Sequence, residues 1–217
     1  MTARSHIPFI PTSWAGTPEE FYRRVATAVN RILQGGPYPP QWRDNLSDFD
    51  TARVTGASQP TWTTFKDGIS KWSFGNTTMN EVHVSYHINH DQAIAGEYRK
   101  LYPHVHWVGV GGTGTVRWGF EYTYAKGHGQ EAFPATTTIY MEQAFSGTDY
   151  THQLIESTTA IDLSSLEADG VMLARIFRDA AHANDTYDGT ACFGLFCDLH
   201  YQASYFGTSQ KTPDFFG

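Results

Sequence analysis

The chain has 217 residues, with 15% aromatics, only 17% Asp, Glu, Lys and Arg together, and a formal net charge of −7. That length suits one large β domain plus an arm, and the aromatic-rich, charge-poor balance favours a compact β protein over a disordered or coiled one. The negative charge argues against nucleic-acid binding, and no apolar run approaches the roughly 20 residues needed to span a bilayer.

Residues 1–16 contain Pro8 and Pro11 without any usable period and read as an extended arm, with no signal-peptide pattern. Thr17-Pro18-Glu19-Glu20 is a helix start: Thr17 caps, Pro18 suits the first turn, and Glu20 closes a capping box. The helix is expected to reach about Gln34, where Gly35-Gly36-Pro37 stops it. Phe21, Val25, Ala28 and Ile32 form one apolar stripe, fit either for lying on its own domain or for self-association. The GGPYPP stretch then marks a boundary between residues 1–36, an arm and helix, and residues 37–217.

Beyond it, residues 41–75 read as short strands split by turns at Gly56, Pro60 and Asp67-Gly68. From Glu81 to Tyr124 the pattern is strongest. Val82, Val84, Tyr86 and Ile88 alternate with polar residues, as do Val116, Trp118, Phe120, Tyr122 and Tyr124. Between these runs lies His104-Val105-His106-Trp107-Val108, joined to the second by Gly111-Gly112-Thr113-Gly114, which suits a hairpin. The three segments are expected to form the centre of one antiparallel sheet. Further strands are expected over 136–144, 153–163, 171–178 and 191–205, with a loop at 126–134 and a turn or short helix at 164–170. The pattern predicts a mainly β, antiparallel two-sheet sandwich of jelly-roll type, preceded by the arm and one short helix, with a closed up-and-down barrel as the alternative.

Cys192 and Cys197 are five apart, so a regular strand would turn them to opposite faces, too far apart for a disulfide. Buried free thiols follow, consistent with synthesis in a reducing cytoplasm. His104 and His106 are two apart on a strand and project from one face, making them weak candidates for metal ligands; no metal or other cofactor is assigned. His87, His90 and His200 could join them, with Glu121 or Asp198 as a carboxylate. The cupin pattern is incomplete, because Trp107-Val108-Gly109 follows where a carboxylate is needed. Hydrogen-bonded, structural histidines are expected instead. No G-x-S-x-G elbow is present, the glycine-rich 109–114 run lacks the Lys-Ser/Thr ending of a phosphate loop, and Asp44, Asp48 and Asp50 lack calcium-loop spacing. No catalytic residue is assigned. Trp and Tyr could stack on sugars, but core positions are expected for each.

The runs YPHVHW, VRWGFEYTYA and ARIFRDAAHANDTYDGTACFGLFCDLHYQASYFGTSQ resemble a domain of tailed-bacteriophage structural proteins of the tail-fibre or head-decoration kind. The resemblance spans roughly residues 38–210. It is most distinctive at His104-Val105-His106-Trp107, at Arg178-Asp179 with Asp185-Thr186-Tyr187, and at Asp198-Leu199-His200-Tyr201. FYRRVATAVNRILQGG is similar to the helical lead-in of phage fibre domains. The resemblance implies a symmetric virion component and supplies no catalytic residues. A non-enzymatic homotrimer is expected, made in the host cytoplasm and attached to capsid, portal or tail proteins, with neither nucleic acid nor membrane as partner. Attachment or oligomerisation is expected to use Phe9, Trp14, Phe21, Val25, Ala28 and Ile32. Recognition of host-surface glycans is the alternative, and a cupin-like metal enzyme the third reading.

Overall fold

The computed structural model describes residues 16–33, 41–92, 100–162, 166–203, 207–208 and 210–212. The chain divides into two compact units, Met1–Pro39 and Pro40–Gly217. In the first lies one helix, α1 (Pro18–Leu33). Its start is the expected capping box: the Glu20 amide donates to Thr17 Oγ1 at 3.3 Å, and the Thr17 amide donates to Glu20 Oε2 at 2.9 Å.

The second unit is a two-sheet antiparallel sandwich. Its strands are β1 (Gln41–Asp48), β2 (Thr61–Lys66), β3 (Ile69–Phe74), β4 (Asn80–His87), β5 (Lys100–Val110), β6 (Thr115–Ala125), β7 (Thr137–Ala144), β8 (His152–Glu156), β9 (Ile161–Asp162), β10 (Val171–Arg178) and β11 (Ala191–Ala203). The larger sheet runs β2-β3-β11-β5-β8, with β1 beside the second half of β11 and β9 beside the start of β5. The smaller runs β4-β10-β6-β7. The strand expected over 153–163 is two, because Ser157 Oγ accepts the Thr159 amide at 3.0 Å and turns the chain between β8 and β9.

One expectation fails in an instructive way. The three most regular segments do not form the centre of one sheet: β5 belongs to the larger sheet, while β4 and β6 flank β10 in the smaller. The glycine-rich link is therefore an arch between sheets rather than a hairpin. Its hydrogen bonds explain why. Thr113 N donates to Asp188 Oδ1 at 2.7 Å, Thr115 N to Thr186 Oγ1 at 3.0 Å, and Thr186 N to Thr115 O at 2.8 Å. The backbone groups that a hairpin would pair locally are taken by residues 185–190. Gly114, at φ +99°, leaves no room for a Cβ against the Thr186 carbonyl.

The 185–190 segment is anchored in turn. Arg178 is fully buried and grips Asp185 with two bonds, Nε to Oδ2 at 2.9 Å and Nη2 to Oδ1 at 2.7 Å, and donates to the Tyr187 carbonyl at 3.0 Å. The Tyr187 hydroxyl accepts the Val110 amide at 2.8 Å, tying this segment to the end of β5. Removing one member of such a buried pair costs about 3–5 kcal/mol, because the other is left charged and unpaired.

The core is continuous between the sheets. Phe74 meets Trp118 at 4.9 Å between ring centroids, and Trp107 meets Tyr187 at 6.1 Å. Each fully buried phenylalanine there contributes about 1.5–3 kcal/mol. The inward residues of β4 and β6 are those of the sequence alternation. Not every aromatic is core, however: Trp42 is 58% exposed, and Trp62 and Tyr140 each 47%.

Both cysteines are free and buried, yet they do not point to opposite faces. Register slips between Gly194 and Phe196, so Cys192 pairs with Gly109 and Cys197 with Val105, both on the core side of β5. A bulge at Leu195 adds the extra residue and restores the parity.

Candidate functional site

The same bulge builds the outer face of the larger sheet. Once Leu195 has been passed, Phe196, Asp198 and His200 face outward, opposite His106, His104 and Tyr102 of β5. On the far side of β5, Leu154 and Glu156 of β8 stand opposite His106 and His104. On the far side of β11, Asp44 of β1 stands opposite His200. Four strands thus converge their polar side chains on one patch.

At its centre Asp198 Oδ2 lies 3.0 Å from His104 Nε2 and 3.5 Å from His106 Nε2. All three residues are buried, with exposures of 4%, 1% and 8% for Asp198, His104 and His106. His106 Nδ1 lies 2.7 Å from His152 Nε2, one ring donating to the other. The His104 ring is covered by His200 at 3.9 Å and the His106 ring by Phe196 at 4.0 Å. His200 is itself held at both nitrogens, by Asp44 Oδ1 at 2.7 Å and by Glu156. Three buried atoms at the centre have no hydrogen-bond partner among the described residues: His104 Nδ1, His106 Nε2 and Asp198 Oδ1.

Burial pushes the Asp198 carboxyl upward, but the His104 hydrogen bond and the charges of His104 and His106 outweigh it and hold it below the usual carboxylate range. Burial, with the nearby His106 charge, lowers the affinity of His152 for a proton.

His87 and His90 do not join this patch. With His128 they surround Asp169 instead: His87 Nε2 at 3.2 Å from Oδ1, and His90 Nε2 at 3.2 Å and His128 Nε2 at 3.0 Å from Oδ2. The His128 hydrogen bond is the main cause of a lowered Asp169 carboxyl, which burial opposes and the His90 and His87 charges reinforce. Glu121 does not reach His104 either. It lies in the smaller sheet and pairs with Arg175 at 2.5 Å, which also meets Glu81 at 2.7 Å. Of the residues expected to attach or oligomerise, Phe21, Val25 and Ala28 are half-buried on α1, Ile32 lies within its span, and Phe9 and Trp14 fall outside the described residues.

Sequence reasoning found His104, His106, His200 and the Asp198 carboxylate but missed Asp44, His152 and Glu156, and missed Asp169 with His128. One signal was readable: Asp198-Leu199-His200 has the same two-residue spacing as His104-Val105-His106, which marks two polar faces able to meet on neighbouring strands. No protein-family model matches the chain, and no curated protein matches it.

Proposed function

We propose that the chain is a non-enzymatic structural component of a tailed-phage particle, closing into a homotrimer through its sandwich and attached through residues 1–36. The observation that carries the self-association is a row of rings on the outer face of the larger sheet. Trp42 meets Tyr102 at 5.8 Å and His200 at 6.3 Å; His200 leads to His104 at 3.9 Å, His104 to His106 at 4.8 Å, and His106 to His152 at 4.9 Å. Leu46 and Leu154 flank it at 58% and 42% exposure. The outer face of the smaller sheet also exposes Leu173 and Tyr140, at 42% and 47%, but the Glu81–Arg175–Glu121 ion ladder crosses it. A face with exposed Trp and two exposed Leu beside stacked rings is suited to burial against copies of itself, whereas a face crossed by ion pairs costs more to take out of water.

Light scattering coupled to gel filtration tests this on the full chain. A trimer is expected at micromolar concentration, with Trp42→Arg and Leu46→Asp shifting it to monomer. A monomeric wild-type protein overturns the reading. A second reading, glycan binding, is favoured by one feature: exposed Trp42 beside the Asp44 and Glu156 carboxylates that grip His200. Binding to a glycan panel that Trp42→Ala abolishes, in a protein that stays monomeric, would establish it instead.

A further inference from the structure

We infer that His104, His106 and Asp198 form a binding site for one divalent transition-metal cation of the zinc class, held between β5 and β11 on the outer face of the larger sheet. The ligand set is two imidazole Nε2 atoms and one carboxylate oxygen, a donor combination suited to zinc, cobalt(II) or iron(II).

The geometry carries this. Nitrogen and oxygen ligands about 2.0–2.1 Å from a tetrahedral zinc are separated from one another by about 3.3 Å. Asp198 Oδ2 stands 3.0 Å from His104 Nε2 and 3.5 Å from His106 Nε2, so two of the three donor separations are already near the edge length of a coordination tetrahedron. One ligand-bearing atom from each residue falls within 4.8 Å of the others.

Burial supplies the second observation. Each of the three side chains keeps one polar atom that is buried and has no hydrogen-bond partner among the described residues: Nδ1 of His104, Nε2 of His106 and Oδ1 of Asp198. Leaving a buried polar atom unpaired costs about 1–3 kcal/mol, and of the three only His106 Nε2 is among the proposed ligand atoms, so it is the one a cation would satisfy. For His106 the unpaired atom is Nε2, the one aimed at Asp198. Its other nitrogen is already fixed by His152 at 2.7 Å. A ligating histidine whose remote nitrogen is held by a second group is the usual way a protein sets ring orientation at a metal. A cation between Nε2 and the carboxylate would replace the poor 3.5 Å approach with two good bonds.

A neighbouring set, Asp44, His104 and His200, also lies within 4.8 Å. It is the weaker choice, because both His200 nitrogens are already taken and Asp44 is exposed.

The experiment uses the full-length chain stripped with a chelator and titrated with Co²⁺ and then Zn²⁺. One equivalent of Co²⁺ should bind, with the intense visible absorption of a tetrahedral site, and one equivalent of Zn²⁺ should displace it. His106→Gln and Asp198→Asn should weaken binding by more than about 100-fold, beyond what loss of an outer-sphere partner does. His128→Gln should leave it unchanged. The wild-type spectrum needs no variant to fold, so the site stands or falls on it first. Absence of stoichiometric Co²⁺ binding to the wild-type protein overturns the inference. So does binding that survives His106→Gln and is lost in His200→Gln or His128→Gln, which would move the site to the rim or to Asp169.

Discussion

Two groups of histidines in this molecule use the same ingredients and are put to different physical use. Around Asp169, His87, His90 and His128 meet a carboxylate whose side chain is 36% exposed, on a turn at positive φ. Around Asp198, His104 and His106 meet a carboxylate that is 6% exposed, in the middle of a strand pair. Water can solvate whatever the first group leaves unpaired. The second must find its partners inside the protein, and three of its atoms have none among the described residues. The difference teaches that convergence of imidazoles on a carboxylate says little about a site until burial is known. An exposed group of this kind contributes weakly and is screened by salt, whereas a buried one either strains the fold or holds something.

The largest expected effect comes from changing each carboxylate to its amide. Asn preserves shape at both positions and tolerates the left-handed backbone at Asp169. In chelator-treated protein, Asp198→Asn should lower unfolding free energy by about 2–3 kcal/mol, the scale of losing buried hydrogen bonds to a charged group. Asp169→Asn should lower it by less than about 1 kcal/mol. Urea denaturation gives both numbers. Equal losses would break the comparison and make burial irrelevant to it.

How much of this was legible in the sequence can be argued from particular residues. Alternation in β4 and β6 identified their buried faces, because a strand with one wet side has a period of two. The capping box at Thr17 and Glu20 was legible because its bonds are local. Sheet membership was not. Whether Gly111–Gly114 folds into a hairpin or arches to the other sheet depends on Thr186 and Asp188, about seventy residues later, which take its hydrogen bonds. Cysteine orientation was not legible either, because a bulge at Leu195 has no residue signature and inverts every face after it. The candidate site depended on that same bulge. Asp198 could be named as a possible third donor, but its reaching His104 rather than Glu121 doing so follows from the β5–β11 register. Nothing local in the sequence announces that Asp169 and His128 meet.

A smaller effect sharpens the comparison through the thiols. Cys197 adjoins Asp198 on β11, is fully buried, and burial pushes its thiol up to about 12, with Cys192 likewise at about 12. Native protein should therefore resist iodoacetamide at pH 8, since only thiolate reacts, and labelling should report transient opening of the sheet. Asp198→Asn should speed labelling by about 30- to 150-fold, in step with its loss of stability, and Asp169→Asn by no more than about fivefold. Mass spectrometry of time points measures both. Rapid labelling of the wild-type protein would show that the β11 thiols are not sealed, and would weaken the case that the carboxylate beside them is.

The smallest effect is the pH dependence at Asp169. Its carboxyl is lowered in the folded protein, first by the His128 hydrogen bond and then, against burial, by the charges of His90 and His87. A group whose folded pKa lies below its unfolded value, about 3.9 for Asp, contributes stability that is fully present above that value. The contribution is lost as pH falls through the folded pKa, because both states are then protonated. Wild-type protein should therefore be slightly more stable than Asp169→Asn at pH 5 to 6, by less than about 1 kcal/mol because the group is partly in water. The gap should shrink below about pH 4 and close at lower pH, and high salt should narrow it at pH 5 to 6. Thermal melts of the two proteins across this range measure it. A gap that persisted unchanged to the most acidic samples would mean that Asp169 acts through its backbone turn rather than its charge. The three histidines would then be neighbours of the carboxylate without being coupled to it.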